Sequence, residues 1–369
     1  VESEGTEGRH RDWRVVVEDF IYESLPTRVV FGDGKLSTLS DEINRLGASR
    51  VLILSAPHQT EMAHGLVNHL EGCCVGLFTE AAMHTPVDVT EKAVRLANDV
   101  KADALVSFGG GSTVGLGKAV ALHTGLPQIA IPTTYAGSEM TDILGQTEHG
   151  VKTTLRHPLV QPKVVIYDVS LTLSLPVAVS VNSGLNAMAH AVEALYALDR
   201  NPVVSLVAEE GIRALSEALP LIVSQPRDNQ SRNQAQYGAW LCGICLGSAG
   251  MALHHKLCHV LGGSFNLPHA EMHAVLLPHT AAYNAPCAPQ AMLRVARALK
   301  AQDAGMALWQ LAHSVGAPMA LKDIGMSQRD IDSAVTLVMQ KPYWNPRRIT
   351  YEGIRYLLSR AWAGEPPQP

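Results

Sequence analysis

What the sequence lacks narrows the reading first. Six cysteines (Cys73, Cys74, Cys242, Cys245, Cys258, Cys287) in 369 residues are too few, and too apolar in setting, for a disulfide framework. Cys242 and Cys245 form a C-G-I-C pair, but inside the apolar stretch Ala239–Leu253, which favours buried thiols on a helix over a redox or zinc site. The expected compartment is the cytoplasm. Aromatics are scarce at 5% and charges at 17%, and 29 basic against 34 acidic residues leave a net charge of −5 with no basic block. A nucleic-acid partner has no electrostatic footprint here. No uninterrupted apolar run approaches about 18 residues, so neither a transmembrane helix nor a membrane partner is expected. The opening residues VESEGTEGRHRDWRVVVE carry charge throughout and lack a signal-peptide core. Residues 1–18 therefore read as an extension or tag remnant outside the fold.

What is present is a core-rich chain, 47% apolar, with 30 glycines and 21 prolines. At about 150 residues per domain the length suggests two domains. The first half alternates. Short β-rich runs at Val51–Leu54, Val75–Thr79, Ala104–Phe108, Gln128–Ile131 and Val164–Tyr167 are separated by helical patterns at about Lys35–Leu46, Glu61–Leu70, Val89–Val100 and Thr113–His123. That rhythm predicts βαβ units and a parallel, Rossmann-like sheet covered on both faces, with ligands at the carboxyl ends of its strands. After Pro176 the pattern turns helical, for example over Pro202–Ile222, Asn233–Leu261, Gln290–Leu299 and Ala304–Val315. The expected division is an α/β domain over 19–176, an all-α domain over 177–363 and a Pro-rich tail over 364–369.

Three clusters carry candidate chemistry. Ser107-Phe108-Gly109-Gly110-Gly111-Ser112 follows a predicted strand and opens a predicted helix. Bare glycines let backbone amides approach a pyrophosphate, and the helix N-terminus adds partial positive charge. A tight structural turn is the competing reading, since this is not the G-x-G-x-x-G fingerprint. Gly115 and Gly117 leave the helix start bare, and Lys118 stands within reach of an anion. The next strand ends in Pro132-Thr133-Thr134-Tyr135-Ala136-Gly137-Ser138, whose hydroxyls suit phosphate or ribose oxygens, although a plain polar loop also fits. The second half is rich in histidine. Asn186 and His190 share a helix face at i, i+4, as do His255 and His259 beside His254. A break is expected at Gly262-Gly263, before His269, His273 and His279. The run His269-Ala270-Glu271-Met272-His273 matches a zinc-protease motif only superficially, its glutamate one position out of place. A single buried histidine is usually a core residue; several converging beside a nucleotide site point to catalysis.

On these residues the chain resembles the iron-containing (group III) alcohol dehydrogenase family, and within it the maleylacetate reductase branch, from about Phe20 to Ala361. Gly109–Ser112 is similar to the family's pyrophosphate loop and Thr133-Thr134 to its dinucleotide-contacting threonines. Pro132–Glu139, Leu144–Glu148, Lys152–Arg156 and Pro342–Arg347 resemble segments of the reductase branch. The resemblance implies the dehydroquinate synthase-like fold of that family and a homodimer. It also implies NADH- or NADPH-dependent reduction of the conjugated C=C bond of 2-maleylacetate, a small dicarboxylate, to 3-oxoadipate in aromatic-compound breakdown. Metal-dependent members hold iron or zinc with an aspartate and three histidines. Those positions are Asn186, His190, His255 and His269 here, so activity without a metal is expected. His259 matches a histidine that the family places near the nicotinamide. The expected catalytic set is His190, His255, His259 and His269. Tyr135, Asn186 and Arg347 are expected to bind substrate, and Gly109, Gly110, Gly111, Ser112, Lys118, Thr133, Thr134, Ser138 and Lys152 the coenzyme. Ser55-Ala56-Pro57 stands where the family often has an acid for the ribose 2′-hydroxyl, and Gly115 replaces an aspartate of its glycine loop. The rival readings are a metal-dependent alcohol or glycerol dehydrogenase and a non-catalytic nucleotide-binding protein.

Overall fold

The computed structural model describes residues 19–70, 72–148, 151–340 and 343–369, without the side chains of Glu148, Val151 and Lys152. The expected extension over 1–18 and the candidate side chain of Lys152 lie outside the described residues.

The first half is a six-stranded parallel sheet. Its strands are β1 (Arg28–Gly32), β2 (Val51–Leu54), β3 (Cys74–Phe78), β4 (Ala104–Gly109), β5 (Gln128–Pro132) and β8 (Val164–Asp168), in the order β1-β8-β5-β4-β2-β3. An antiparallel hairpin of β6 (Ile143–Glu148) and β7 (Val151–Arg156) stands apart from it. Helices α1 (Leu39–Arg45), α2 (Thr60–His69), α3 (Val87–Asp99) and α4 (Gly111–Thr124) make the crossovers. Strands β2, β4, β5 and β8 are buried along their whole length, as continuous apolar runs in a doubly covered sheet must be. The sequence reading found neither β1 nor the hairpin; it placed β3 one residue late. The order reverses between β2, which leads out to β3, and β4, which leads the other way to β5. The crevice at their carboxyl ends is where such sheets bind ligands.

The second half is helical: α5 (Val177–Ala194), α6 (Pro202–Ser224), α7 (Asn229–Ser248), α8 (Leu253–Phe265), α9 (His269–Asn284), α10 (Pro289–Ala298), α11 (Ala304–Ser314), α12 (Asp330–Met339) and α13 (Tyr351–Ala363). Local signals set several starts. Asn201 accepts from the Val204 amide ahead of Pro202, and Asp228 accepts from the Ser231 amide. Helix α5 is buried from Ser180 to Ala194 and forms the spine of the largest core cluster. It carries Asn186, His190 and Glu193 into the interior. Two expectations fail here. The run read as one helix over Asn233–Leu261 is broken between Ser248 and Leu253, and the break expected at Gly262-Gly263 is absent because α8 continues to Phe265. It stops at Asn266, which is left-handed with φ 52°. No disulfide joins any of the six cysteines, and Cys242 and Cys245 are buried on α7 as expected.

The two halves meet through backbone. A Cβ on Gly243 of α7 would lie 2.7 Å from the carbonyl of Gly137, in the loop after β5. Only glycine permits that approach. The buried Arg232 ties the same region together, donating to Ser180 Oγ at 2.7 Å, the Leu175 carbonyl at 2.9 Å and Tyr135 Oη at 3.3 Å. No helix among the described residues is long and apolar enough to cross a membrane.

Candidate active site

At the crevice, β4 ends in Gly109 with φ 155°, and α4 begins at Gly111 with Gly110 as its N-cap. A Cβ on Gly109 would stand 2.5 Å from Thr113 Oγ1 and 2.7 Å from Gln59 Oε1, so no other residue fits. Gly110, Gly111 and Ser112 are half-buried at the open start of α4, whose first amides have no partner within the helix. Thr134 leans over Gly110, where a Cβ would lie 3.1 Å from its methyl. The glycine loop and the threonine loop therefore meet. Gln59, just past β2, donates from Nε2 to Thr133 Oγ1 at 2.9 Å. Its Oε1, Thr113 Oγ1 and Ser138 Oγ are buried with no protein partner. Gln59 Oε1 and Thr113 Oγ1, orphaned together beside Gly109 at the start of α4, mark a place for a polar ligand. The sequence reading missed Gln59; its position at the carboxyl end of β2 was the available signal.

Lys118 needs correcting. The residue is 1% exposed, and its ammonium donates to the carbonyls of Ser138, Thr141 and Ile143 and to Thr141 Oγ1, at 2.6–2.9 Å. Burial pulls its pKa down to about 7, while Glu139 and Asp142 nearby pull the other way. With four acceptors satisfied, it anchors the loop that carries Ser138 and does not reach an anion. Gly115 is tucked beneath Thr85, whose Oγ1 would be 2.6 Å from a Cβ, so a side chain there requires Thr85 to move.

The histidines do converge. Ring centroids lie 5.1 Å apart for His190–His255 and for His255–His273, 4.8 Å for His254–His273, 4.5 Å for His269–His273 and 6.4 Å for His255–His259. His190, His254, His255 and His273 are buried, His269 is half-buried and His259 is exposed at the rim. His190 Nδ1 faces the Gly137 backbone, across the boundary between the halves. Burial, then the neighbouring imidazoles, hold His190 and His273 well below the usual histidine range.

The sequence reading did not single out Glu193. Fully buried on α5, it accepts from His255 Nδ1 at 2.6 Å and from the amides of Ala252, His254 and His255 at 3.0, 2.8 and 3.4 Å. Burial alone raises a carboxyl pKa; the His255 hydrogen bond, the charges of His255 and His254 and the Ala252 amide outweigh it and bring Glu193 to about 2. The carboxylate caps α8 and fixes the His255 tautomer, leaving Nε2 buried and unpartnered. The other missed group is Tyr343, whose hydroxyl is buried without a partner and whose ring lies beneath Lys256 at 5.4 Å. Burial, followed by the Glu193 charge, raises its pKa.

Two substrate candidates are corrected. Tyr135 is fully buried in the core of the helical half, its hydroxyl on Arg232. Arg347 donates to the Tyr283 carbonyl at 2.9 Å and stacks on that ring at 4.3 Å, so it fastens its own loop to α9.

Residues 26–169 match the iron-containing alcohol dehydrogenase family, and residues 180–362 match the Fe-containing alcohol dehydrogenase family, C-terminal. The chain belongs to the iron-containing alcohol dehydrogenase family, and it is an oxidoreductase. Within that class it is similar to maleylacetate reductases. One from a Rhizobium species is 54% identical over 95% of this chain and 100% of its own. One from Sphingobium indicum is 53% identical over 94% and 99%. The crystal structure of maleylacetate reductase from Agrobacterium tumefaciens superposes with a TM-score of 0.92 at 54% identity, covering 95% and 100%.

The family name implies iron. The donors at the matched positions are the Asn186 carboxamide and three imidazoles, with Asn186 Oδ1, His190 Nδ1 and His255 Nε2 buried and unpartnered. This set brings no anion, and the carboxylate bonded to it, Glu193, is spent on His255 and the start of α8. It fits a resident hard cation poorly.

Proposed function

We propose that the chain reduces the conjugated C=C bond of 2-maleylacetate to 3-oxoadipate with NADH or NADPH and without a metal ion. The observation that carries this reading is the Glu193–His255 pair inside a buried histidine cluster that meets the loop after β5 at Gly137. The nicotinamide, when bound, supplies hydride to C2 of the alkene. Gly109–Ser112, Thr133, Thr134, Ser138 and Gln59 would hold the coenzyme at the open start of α4. Electron density released from the double bond moves onto the ketone oxygen, and imidazole donors stabilise that enolate in the manner of an oxyanion hole. A conjugated alkene needs a Lewis acid less than an isolated ketone does. His255, backed by an ionised carboxylate on Nδ1, delivers a proton from Nε2 to C3, which closes the enolate to 3-oxoadipate. His190, His259 and His269 complete the donor set. The Tyr343 hydroxyl, which feels the Glu193 charge, and the Lys256 ammonium over the Tyr343 ring form a polar pair that we assign to a substrate carboxylate.

Stopped-flow absorbance of the reduced nicotinamide tests this reading. Rapid oxidation with maleylacetate and almost none with short aldehydes is expected. Robust ethanol or glycerol oxidation with no maleylacetate turnover would sink it.

A further inference from the structure

Three buried side chains beneath the cluster form a chain of fixed direction. Thr280 Oγ1, on α9, lies 3.1 Å from the carbonyls of both Leu276 and Leu277. His254 Nδ1 is 3.1 Å from the same oxygen, and His254 Nε2 is 2.9 Å from His273 Nδ1. The hydroxyl has one hydrogen. If that hydrogen pointed at His254, two carbonyl oxygens would face bare lone pairs at 3.1 Å, which is repulsive. Pointed at a carbonyl, it leaves Oγ1 to accept from His254 Nδ1–H. His254 Nε2 then carries a lone pair and accepts from His273 Nδ1–H. The remaining nitrogen, His273 Nε2, is left as an acceptor, and it is buried with no protein partner among the rings of His190, His255 and His269. His254, Cys258 and His273 bring ligand atoms within 4.8 Å of one another, but the two imidazole nitrogens are already engaged with each other.

We propose that Thr280 and His254 are positioning residues that lock His273 in its Nδ1–H tautomer, so that its Nε2 presents a lone pair to the reaction site. That acceptor cannot serve as an oxyanion donor. It orients instead a water that accepts from His255 Nε2–H when that ring is protonated, taking one hydrogen of the water and leaving the other on the line toward C3; the two Nε2 atoms are not bonded to each other. This deepens the reading of the site given above and rests on it. His255 and His273 thereby take opposite parts: one is backed by a carboxylate and gives a hydrogen, the other is backed by a neutral chain and receives one.

Nitrogen NMR of the full-length protein labelled with 15N-histidine reads the tautomers without substrate, with the H273N spectrum assigning the signal. The expected result is a proton on Nδ1 of His273 and of His254. Thr280→Val should shift the His254 signal and lower kcat about ten-fold or more while KM stays within about two-fold; Thr280→Ser should restore both. His273→Asn keeps a donor toward His254 but loses the Nε2 acceptor, and should lower kcat similarly. A proton found on Nε2 of His273, wild-type kcat in T280V or H273N, or stoichiometric zinc on His254 and His273 overturns the proposal. If T280V fails to fold, the wild-type tautomers and T280S still decide. If wild type does not turn over maleylacetate, the functional reading falls while the tautomers still judge the chain.

Discussion

Glu193 controls two things at once, the start of α8 and the hydrogen on His255 Nδ1, and a single substitution separates them. Gln at 193 has one oxygen where the carboxylate has two: in the place of Oε2 it still accepts from the Ala252 amide and His255 Nδ1, while its NH2 replaces the Oε1 that takes the His254 amide. It no longer offsets the positive charge that forms when His255 carries a proton on Nε2. Glu193→Gln should therefore fold and lose roughly 100-fold or more in kcat with little change in KM, as measured by steady-state kinetics beside a thermal melt. Wild-type turnover would reduce Glu193 to a helix cap. Asn186 makes the complementary case. Asn186→Asp returns an anion one turn before His190, and should create measurable zinc or iron binding on elemental analysis. The parent protein should keep full activity after exhaustive chelation. Activity abolished by chelator and regained with zinc removes the metal-free reading.

At the scale of elements, the floor of the site is built from α5, α8 and α9, and it is acid-labile by design of its burial. Burial, ahead of neighbouring charge, brings His254 down to about 3 and His279 to about 4, and pushes His190 and His273 well below the usual range. An unfolded histidine takes its proton near 6.5, whereas these stay neutral while folded. Their contribution is thus complete above pH 6.5 and is lost as pH falls through that value toward 4 and 3. Glu193, depressed from 4.5 to about 2, adds a loss below pH 4.5 with the same sign. The melting temperature should fall progressively below pH 6.5. A value flat from pH 8 to 5 contradicts this account. These elements also show what the sequence could convey. The alternating first half was legible because buried parallel strands are uninterrupted apolar runs, and the glycine and threonine loops fall at their ends. The gap between α7 and α8 was not, because nothing local makes it. Ala252 contributes no side-chain cap, and the amides are held by a carboxylate some sixty residues earlier. Arg347 and Tyr135 stand in segments typical of the reductase branch, yet their side chains are spent on packing, which motif likeness alone does not distinguish from substrate contact.

For the whole molecule, the sheet order sets which residues would meet the ribose of a coenzyme bound as proposed, and hence which coenzyme it would accept. The crevice between β2 and β4 places the chain just after Leu54 beside the glycine loop. Ser55 there is fully buried and donates to the Phe108 carbonyl at 3.0 Å, so its hydroxyl braces β2 against β4. Ala56 is buried, Pro57 and His58 are exposed, and Gln59 is turned inward onto Thr133. No carboxylate stands among residues 55–59, directly after β2, to repel a 2′-phosphate; the first one is the exposed Glu61 in the first turn of α2. Arg50 is no counter-charge for one either: it lies at the opposite end of the strand and is tied to the carbonyls of Val100 and Lys101. With neither a repelling nor a recruiting group in place, NADH and NADPH should both be used, with kcat/KM values within about a factor of 100, on the order of 3 kcal/mol. Steady-state kinetics with each coenzyme at saturating maleylacetate measures this. A preference much steeper than that, in either direction, requires a contact to the 2′ position that the residues after β2 do not provide.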